Sequence, residues 1–297
     1  MKKGIVLALI TAAISGFSIF FSKVFVSSID PVVFTAEKNL LVGMILSFIL
    51  FRSNNLQQEL KKLTKNQWRL LGAISIIGGS IPFALFFTGL TMTSATTGAL
   101  IHKTLFLWVA ILAIIFLKEK INIKQSVGYA LILGGVFWIS GFQAFSIRGI
   151  GEQMIFAATL LWAFENIMSK YAVKTIAPTV VAWGRMMIGS LILLGFVIFQ
   201  GKGSELTVFN PQTITATLIG AGFLTGYVLT WYHAIKYIPV SFATSLLSLS
   251  PILTALLSHG LLQTPLATSD LITMLFIILG SAILIFLKST PSRVGAR

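Results

Sequence analysis

The sequence predicts an all-α integral membrane protein of ten transmembrane helices, built as two inverted five-helix repeats. Three observations carry that expectation. Of the 297 residues, 56% are hydrophobic and only 10% charged, against about 25% charge in a soluble domain, and mean hydropathy is +0.93. The apolar residues gather into ten segments, each near the roughly 20 residues that cross a bilayer. The second half of the chain then repeats the pattern of the first.

Taken in order, Met1-Lys2-Lys3 opens an apolar run over 4–29. That is longer than the roughly 7–15 residues of a signal-peptide core, so it is read as span 1. Spans 2 to 10 follow at about 31–51, 70–90, 95–117, 125–145, 151–172, 178–199, 213–235, 240–262 and 269–287. Pro31, Pro178, Pro211, Pro239 and Pro265, or short polar clusters, separate them. Proline lacks the N–H that a helix interior needs, so it marks helix starts and stops.

Orientation follows from the loops. With both termini cytoplasmic, 16 of the 22 lysines and arginines fall in inner segments, among them Lys61, Lys62, Lys118 and Lys120, and four, Lys23, Lys38, Lys103 and Arg185, lie within spans. The outer loops keep only Arg148 and Lys202. This asymmetry follows the positive-inside rule and predicts a multi-pass protein of the cell (inner) membrane. It also accounts for the net charge of +14 without a nucleic-acid partner. The partners expected are the lipid bilayer and a small-molecule substrate, anionic or zwitterionic.

The chain has no cysteine, and His102, His233 and His259 are scattered. No metal site and no cofactor are expected. In the longest inner loop, Arg52 to Arg69, Leu56, Leu60 and Leu63 share a helical face with lysines between them. It reads either as an interfacial helix on anionic headgroups or as a solvated connector.

The internal repeat is the strongest signal. At an offset of 147, Ser22-Lys23 falls on Ser169-Lys170, Pro31 on Pro178 and Lys38 on Arg185. At an offset of 145, Phe86 falls on Trp231, Gly89-Leu90 on Ala234-Ile235 and Gly135 on Gly280. The expected halves are residues 1–146 and 147–297. Five is odd, so the second half enters the membrane in the opposite sense. Inverted repeats of this kind place a transport site near the midplane between the halves.

The same residues carry a resemblance. Ser22-Lys23, Pro31, Lys38, Leu117-Lys118-Glu119-Lys120, Gly128, Gly134-Gly135 and Leu160-Leu161-Trp162-Ala163 resemble the EamA-like drug/metabolite transporters, over nearly the whole chain. The resemblance implies two sets of five helices and transport of amino acids or related compounds. Two positions depart from it. Phe106 stands in span 4 where members often carry proline, and Thr264 matches Glu119 in the second half.

A charge inside a bilayer costs about 2.5–3.5 kcal/mol on insertion scales and marks a site or pathway. Lys103 and His102 lie in span 4, with Ala99, Phe106 and Leu107 three to four residues from Lys103 and Thr96 seven. Lys103 is expected to hold an anionic group, and His102 to add a hydrogen bond or titrate near neutral pH. The alternatives are a snorkelling lysine and a satisfied core histidine. Leu247 and Ser248 take the matching places in span 9. Glu165-Asn166, one turn after Trp162, is a candidate for proton coupling or for a substrate amine, or Glu165 pairs with Arg185. Lys23 and Glu37 share a depth and are expected to pair across the first hairpin. Lys38, Lys170 and Arg185 are further ion-pair or gating candidates. Tyr227, Trp231 and Tyr232 either line a cavity or anchor at the interface. The expected substrate-binding set is His102, Lys103, Thr96, Trp162, Glu165, Asn166, Tyr227, Trp231 and Ser248.

Small residues four apart, Ala8-Ala12-Gly16, Ser75-Gly79 and Gly222-Gly226, suit close helix packing. Pro82 and Pro251 should kink spans 3 and 9. Gly201-Lys202-Gly203-Ser204 lacks the spacing of a P-loop, and no ATP site or paired catalytic carboxylates occur. An intramembrane enzyme built from Ser248, Ser250, His102 and His259 finds no support in their spacing. The expected function is a secondary active transporter, an exporter or exchanger of a small metabolite such as an amino acid, by alternating access around a central cavity. The rival is an antiporter of phosphorylated metabolites or nucleotide-type substrates. Span 9 has neither Lys nor Arg, which weighs against it.

Overall fold

A computed structural model describes residues 1–25, 30–140, 147–207 and 211–286. Among them the chain is helical: α1 (Lys2–Phe25), α2 (Pro31–Arg52), α3 (Asn54–Lys61), α4 (Lys65–Gly79), α5 (Ile81–Leu90), α6 (Ala95–Lys103) and α7 (Leu105–Leu117) come first. Then follow α8 (Ile123–Ser140), α9 (Ile150–Ala172), α10 (Pro178–Phe199), α11 (Pro211–Tyr237), α12 (Val240–Leu247), α13 (Ser250–Leu262) and α14 (Thr268–Phe286). Helix pairs α4–α5, α6–α7 and α12–α13 make up the single spans 3, 4 and 9.

By length and composition, 8 helices of the described residues are able to cross a membrane. Two expected spans, α8 and α9, are not among them. For α9 the reason is physical: it carries Glu152, Glu165, Asn166 and Lys170. Glu165 and Asn166 are buried, so their polarity faces protein rather than lipid.

Each break within a span has a local cause. Span 3 stops at Ser80 because Pro82 has no N–H for the preceding turn. Span 9 breaks at Ser248–Leu249, just before Pro251. Span 4 breaks at the matching place without a proline. Thr104 (φ −71°, ψ −6°) ends α6 with a single tight turn, its hydroxyl donating to the Ile101 carbonyl at 2.6 Å and accepting from Trp108 Nε1 at 3.0 Å. The departure at Phe106 is therefore made good by Thr104.

Lys118 and Gln263, paired by the offset of 145, both take a left-handed backbone with φ 55°. Helix pairs follow the same offsets. The most extensive packing joins α8 to α14, α1 to α11, α10 to α2 and α5 to α9, and the repeat converts α1–α11 into α5–α9. At α8–α14, a Cβ on Gly128 would lie 2.9 Å from the Gly280 carbonyl, and one on Gly135 3.2 Å from that of Thr273. Helices approach this closely only where one side is glycine.

Several expectations change. The apolar face of α3 turns toward the protein: Leu56, Leu60 and, just after the helix, Leu63 pack partly buried against the main core, and Glu59 accepts from the Ala177 N–H at 2.6 Å, at the start of α10. Ser75 and Gly79 do pack helices, against Gly184 and Arg185 of α10. Gly222 does not, since nothing lies within 4 Å of where its Cβ would be. Trp231 and Tyr232 are buried, not interfacial anchors.

Candidate transport site

The site grows from one missing hydrogen bond. Pro82 cannot donate to the carbonyl four residues earlier, which is that of Gly78. The freed oxygen accepts instead from Trp162 Nε1 at 3.1 Å and from Arg185 Nη2 at 3.2 Å. Gly78 is required for this approach, because a Cβ there would sit 2.1 Å from Glu165 Cγ. A broken helix whose backbone serves a cavity is tolerated in a membrane protein only inside the bundle.

Glu165 on α9 is almost wholly buried, with 1% exposure. Its Oε1 accepts from Ser169 Oγ at 2.6 Å and from the Tyr232 hydroxyl at 2.7 Å. Arg185 Nε stands 3.7 Å from the same oxygen, beyond hydrogen-bond reach of about 2.7–3.2 Å. Nε is therefore buried without a hydrogen-bond partner. Of the two alternatives for Glu165, ion pairing with Arg185 is present in the structure. Tyr227 lies in electrostatic range of both charges and stacks on Trp231 at 6.4 Å.

Trp162 links this pair to the His102 side. The imidazole lies 5.0 Å from the Trp162 ring and 5.2 Å from Phe86, with Phe86 and Trp162 5.5 Å apart. His102 Nδ1 is buried without a partner, so this is not a satisfied core histidine. Asn166 donates to the Trp162 carbonyl at 2.8 Å and leaves its Oδ1 unbonded. Five spans, through α4–α5, α6, α9, α10 and α11, thus contribute to one polar centre in an aromatic wall.

A scan against protein families matches the EamA-like transporter family at residues 2–141 and 149–286. The chain belongs to that family. The EamA chain is 29% identical over 280 residues to the uncharacterized transporter YyaM of Bacillus subtilis, covering 89% of this chain and 90% of the relative. An uncharacterized transporter of Methanothermobacter thermautotrophicus is 24% identical over 277 residues, covering 87% and 79%. A solved crystal structure, 15% identical, superposes with a TM-score of 0.80 over 96% of this chain and 98% of that one, which shows a shared fold. These findings make the protein a multi-pass membrane transporter with a small-molecule substrate.

The remaining predicted positions of the EamA chain fall apart from the centre or outside the described side chains. Lys103 ends α6 and feels the Asp270 carboxylate of α14 electrostatically. Ser248 occupies the break of span 9. The side chains of Thr96 and Lys23 lie outside the described residues, and so does the expected Lys23–Glu37 pair. Glu37 makes no ion pair among the described residues, whose two pairs are Glu165–Arg185 and Asp30–Lys202. Lys38 pairs with no carboxylate and lies over the Phe34 ring at 5.0 Å. Lys170 is not in an ion pair either; it donates to the Ile235 carbonyl at 2.5 Å and the Ile238 carbonyl at 2.8 Å. Pro239 explains the first, having no N–H to give Ile235.

Sequence reasoning missed Gly78, Ser169 and Glu119 altogether as site or closure residues. Glu119, just past α7, accepts from the Val240 and Ser241 N–H groups at 2.9 and 3.3 Å and from the Ser241 hydroxyl. It caps α12 with a charge on the positive helix end. At the other end of the bundle Lys202 meets Asp30 at 2.5 Å, and Thr93 donates to Glu152 at 2.6 Å. Burial alone would raise the Asp30 carboxyl; the Lys202 ammonium and the Val33 and Val32 N–H groups outweigh it and hold the group below its ordinary value.

Proposed function

We propose that the protein is a secondary active transporter of amino acids or related zwitterions, working by alternating access between two inverted five-helix halves, residues 1–146 and 147–297. The observation that carries this reading is the Glu165–Arg185 pair, held at 3.7 Å with Arg185 Nε unbonded. A zwitterion supplies what the pair lacks: its carboxylate answers the guanidinium and its amine the Glu165 carboxylate. His102, Trp162, Asn166, Tyr227 and Trp231 are assigned to the walls of that site, and Lys103, Thr96 and Ser248 to the approach from spans 4 and 9. The two-half reading draws support from the double family match and from the left-handed residues Lys118 and Gln263.

In this reading the protein spans the cell membrane with both termini cytoplasmic, and Glu119, Lys170 and Glu59 close that face. Asp30–Lys202 and Thr93–Glu152 close the outer face. Alternation consists of releasing one set while the other holds. No ATP site is present in the sequence, so exchange or an ion gradient drives net export.

Counterflow in proteoliposomes tests the reading, with a panel of amino acids, organic acids and sugar phosphates outside and each unlabelled candidate inside. Accelerated exchange of one or more zwitterionic amino acids, lost in Glu165→Gln, is the expected result. Exchange confined to sugar phosphates, or an unimpaired Glu165→Gln, would sink it.

A further inference from the structure

The threonines of these helices mostly bond back to their own backbone. Thr11, Thr159, Thr225, Thr230 and Thr244 each donate to the carbonyl four residues earlier. Thr35 on α2 and Thr217 on α11 do not, and their hydroxyls are buried without partners. One turn beyond Thr35, Asn39 is 0% exposed with both amide atoms unbonded. A buried amide or hydroxyl left unpaired costs about 1–3 kcal/mol, and the expense is larger where no water reaches.

Beside Asn39 in sequence stands Lys38, a cation without a counter-charge. All 8 Asp and Glu side chains are among the described residues. The two ion pairs they form take Lys202 and Arg185, not Lys38. The Lys38 stem rests on α11, where a Cβ on Gly220 would meet its Cδ at 3.2 Å. Thr217 is three residues before Gly220 and Thr35 three before Lys38, so each shares a helix face with its neighbour. The repeat explains why Lys38 is unpaired. Its counterpart Arg185 has Glu165, whereas the place of Glu165 in the first half is taken by Ser18, and that of Tyr232 by Phe87.

We infer that Lys38, Thr35, Asn39 and Thr217 form a second anion subsite in the α2–α11 seam, which receives the substrate carboxylate on the outer side of the Glu165–Arg185 pair. The inference rests on the zwitterion reading above. Lys38 supplies the charge; the hydroxyls and the Asn39 amide supply uncharged donors. Seven residues from Pro31 place Lys38 about 10 Å into the membrane, deeper than lipid headgroups reach. The site is a station on the exit path: a released carboxylate moves from one basic residue to its symmetry mate.

The test uses the full chain in proteoliposomes, with uptake measured separately from each face using the amino acid that gives the fastest counterflow. Lys38→Met should raise the outer-face KM by about tenfold with kcat little changed, while Lys38→Arg stays near wild type. Thr35→Val with Thr217→Val keeps shape and folding, and should raise the outer-face KM several-fold. Thermal unfolding of the same proteins with added sodium acetate supplies a second readout, in which acetate stabilises wild type more than Lys38→Met. Unchanged outer-face KM in the double threonine variant, with only a raised Tm, would show a purely structural seam and overturn the inference. If wild type exchanges sugar phosphates but no amino acid, the zwitterion reading falls first and takes this inference with it.

Discussion

The Glu165 carboxylate and the Arg185 guanidinium face each other across α9 and α10 at 3.7 Å, with side-chain exposures of 2% and 11%. Their partnership is an electrostatic one, completed on the acid side by Ser169 and Tyr232 and on the base side by the Gly78 carbonyl.

Removing one charge strands the other. Arg185→Met is therefore expected to destabilise by about 3–5 kcal/mol, and Arg185→Met with Glu165→Gln by clearly less. Chemical unfolding of detergent-solubilised protein checks this; a double variant no more stable than Arg185→Met would mean that the pair is not coupled. Both proteins should be inactive in counterflow.

Glycine substitutions should split by what a new Cβ meets. Gly78→Ala drives a methyl to within 2.1 Å of Glu165, and an overpacked core of this kind loses about 1–3 kcal/mol. Gly72→Ala and Gly222→Ala meet nothing within 4 Å and should gain about 0.5–1 kcal/mol from helix propensity. Thermal shifts of opposite sign are the expected outcome.

Glu119→Ala removes the cap of α12, a loss of about 0.5–2 kcal/mol. Because that cap ties the end of span 4 to the start of span 9, the variant should populate states open at that end of the bundle more. The chain has no cysteine, so single cysteines at position 245 or 129 report opening by their rate of thiol labelling. Equal rates in wild type and Glu119→Ala would remove Glu119 from the gate.

The Asp30–Lys202 contact should be acid-sensitive. Asp30 has a carboxyl held below its ordinary value by Lys202 and the α2 N-terminus, against the effect of burial. A carboxyl depressed in the folded state contributes stability that is present above its unfolded pKa and lost as pH falls through the folded one. Wild type should thus lose Tm from about pH 5 downward more steeply than Asp30→Asn, since the unfolded carboxyl titrates near 4. Parallel curves for the two proteins would show that the Lys202 contact contributes nothing.

Much of the site was visible as residue types at given depths. Glu165, Arg185, Trp162 and His102 stand out because buried charge and imidazole are costly in lipid, and that cost is a property of sequence alone. Their partners were not visible. Tyr232 reads equally well as an interfacial anchor, and Lys170 and Lys38 as ion-pair members. Only the packed structure shows Lys170 on the Ile235 carbonyl, freed by Pro239, and Lys38 on an aromatic ring. The signal that was available for Gly78 lay in the spacing to Pro82, because a proline names the carbonyl it abandons.

By itself, the sequence determined that the chain lives in a membrane, roughly where its helices start and stop, and which positions match at the offsets of 147 and 145. Those properties follow from hydropathy, proline and periodicity, which act locally along the chain. The tertiary structure decided which polar groups meet: Glu165 with Arg185 and Tyr232, Glu119 with the start of α12, and Thr35, Asn39 and Thr217 with nothing among the described residues. Hydrogen bonds and ion pairs act over only a few ångströms, so partner choice depends on how helices far apart in sequence rotate and approach.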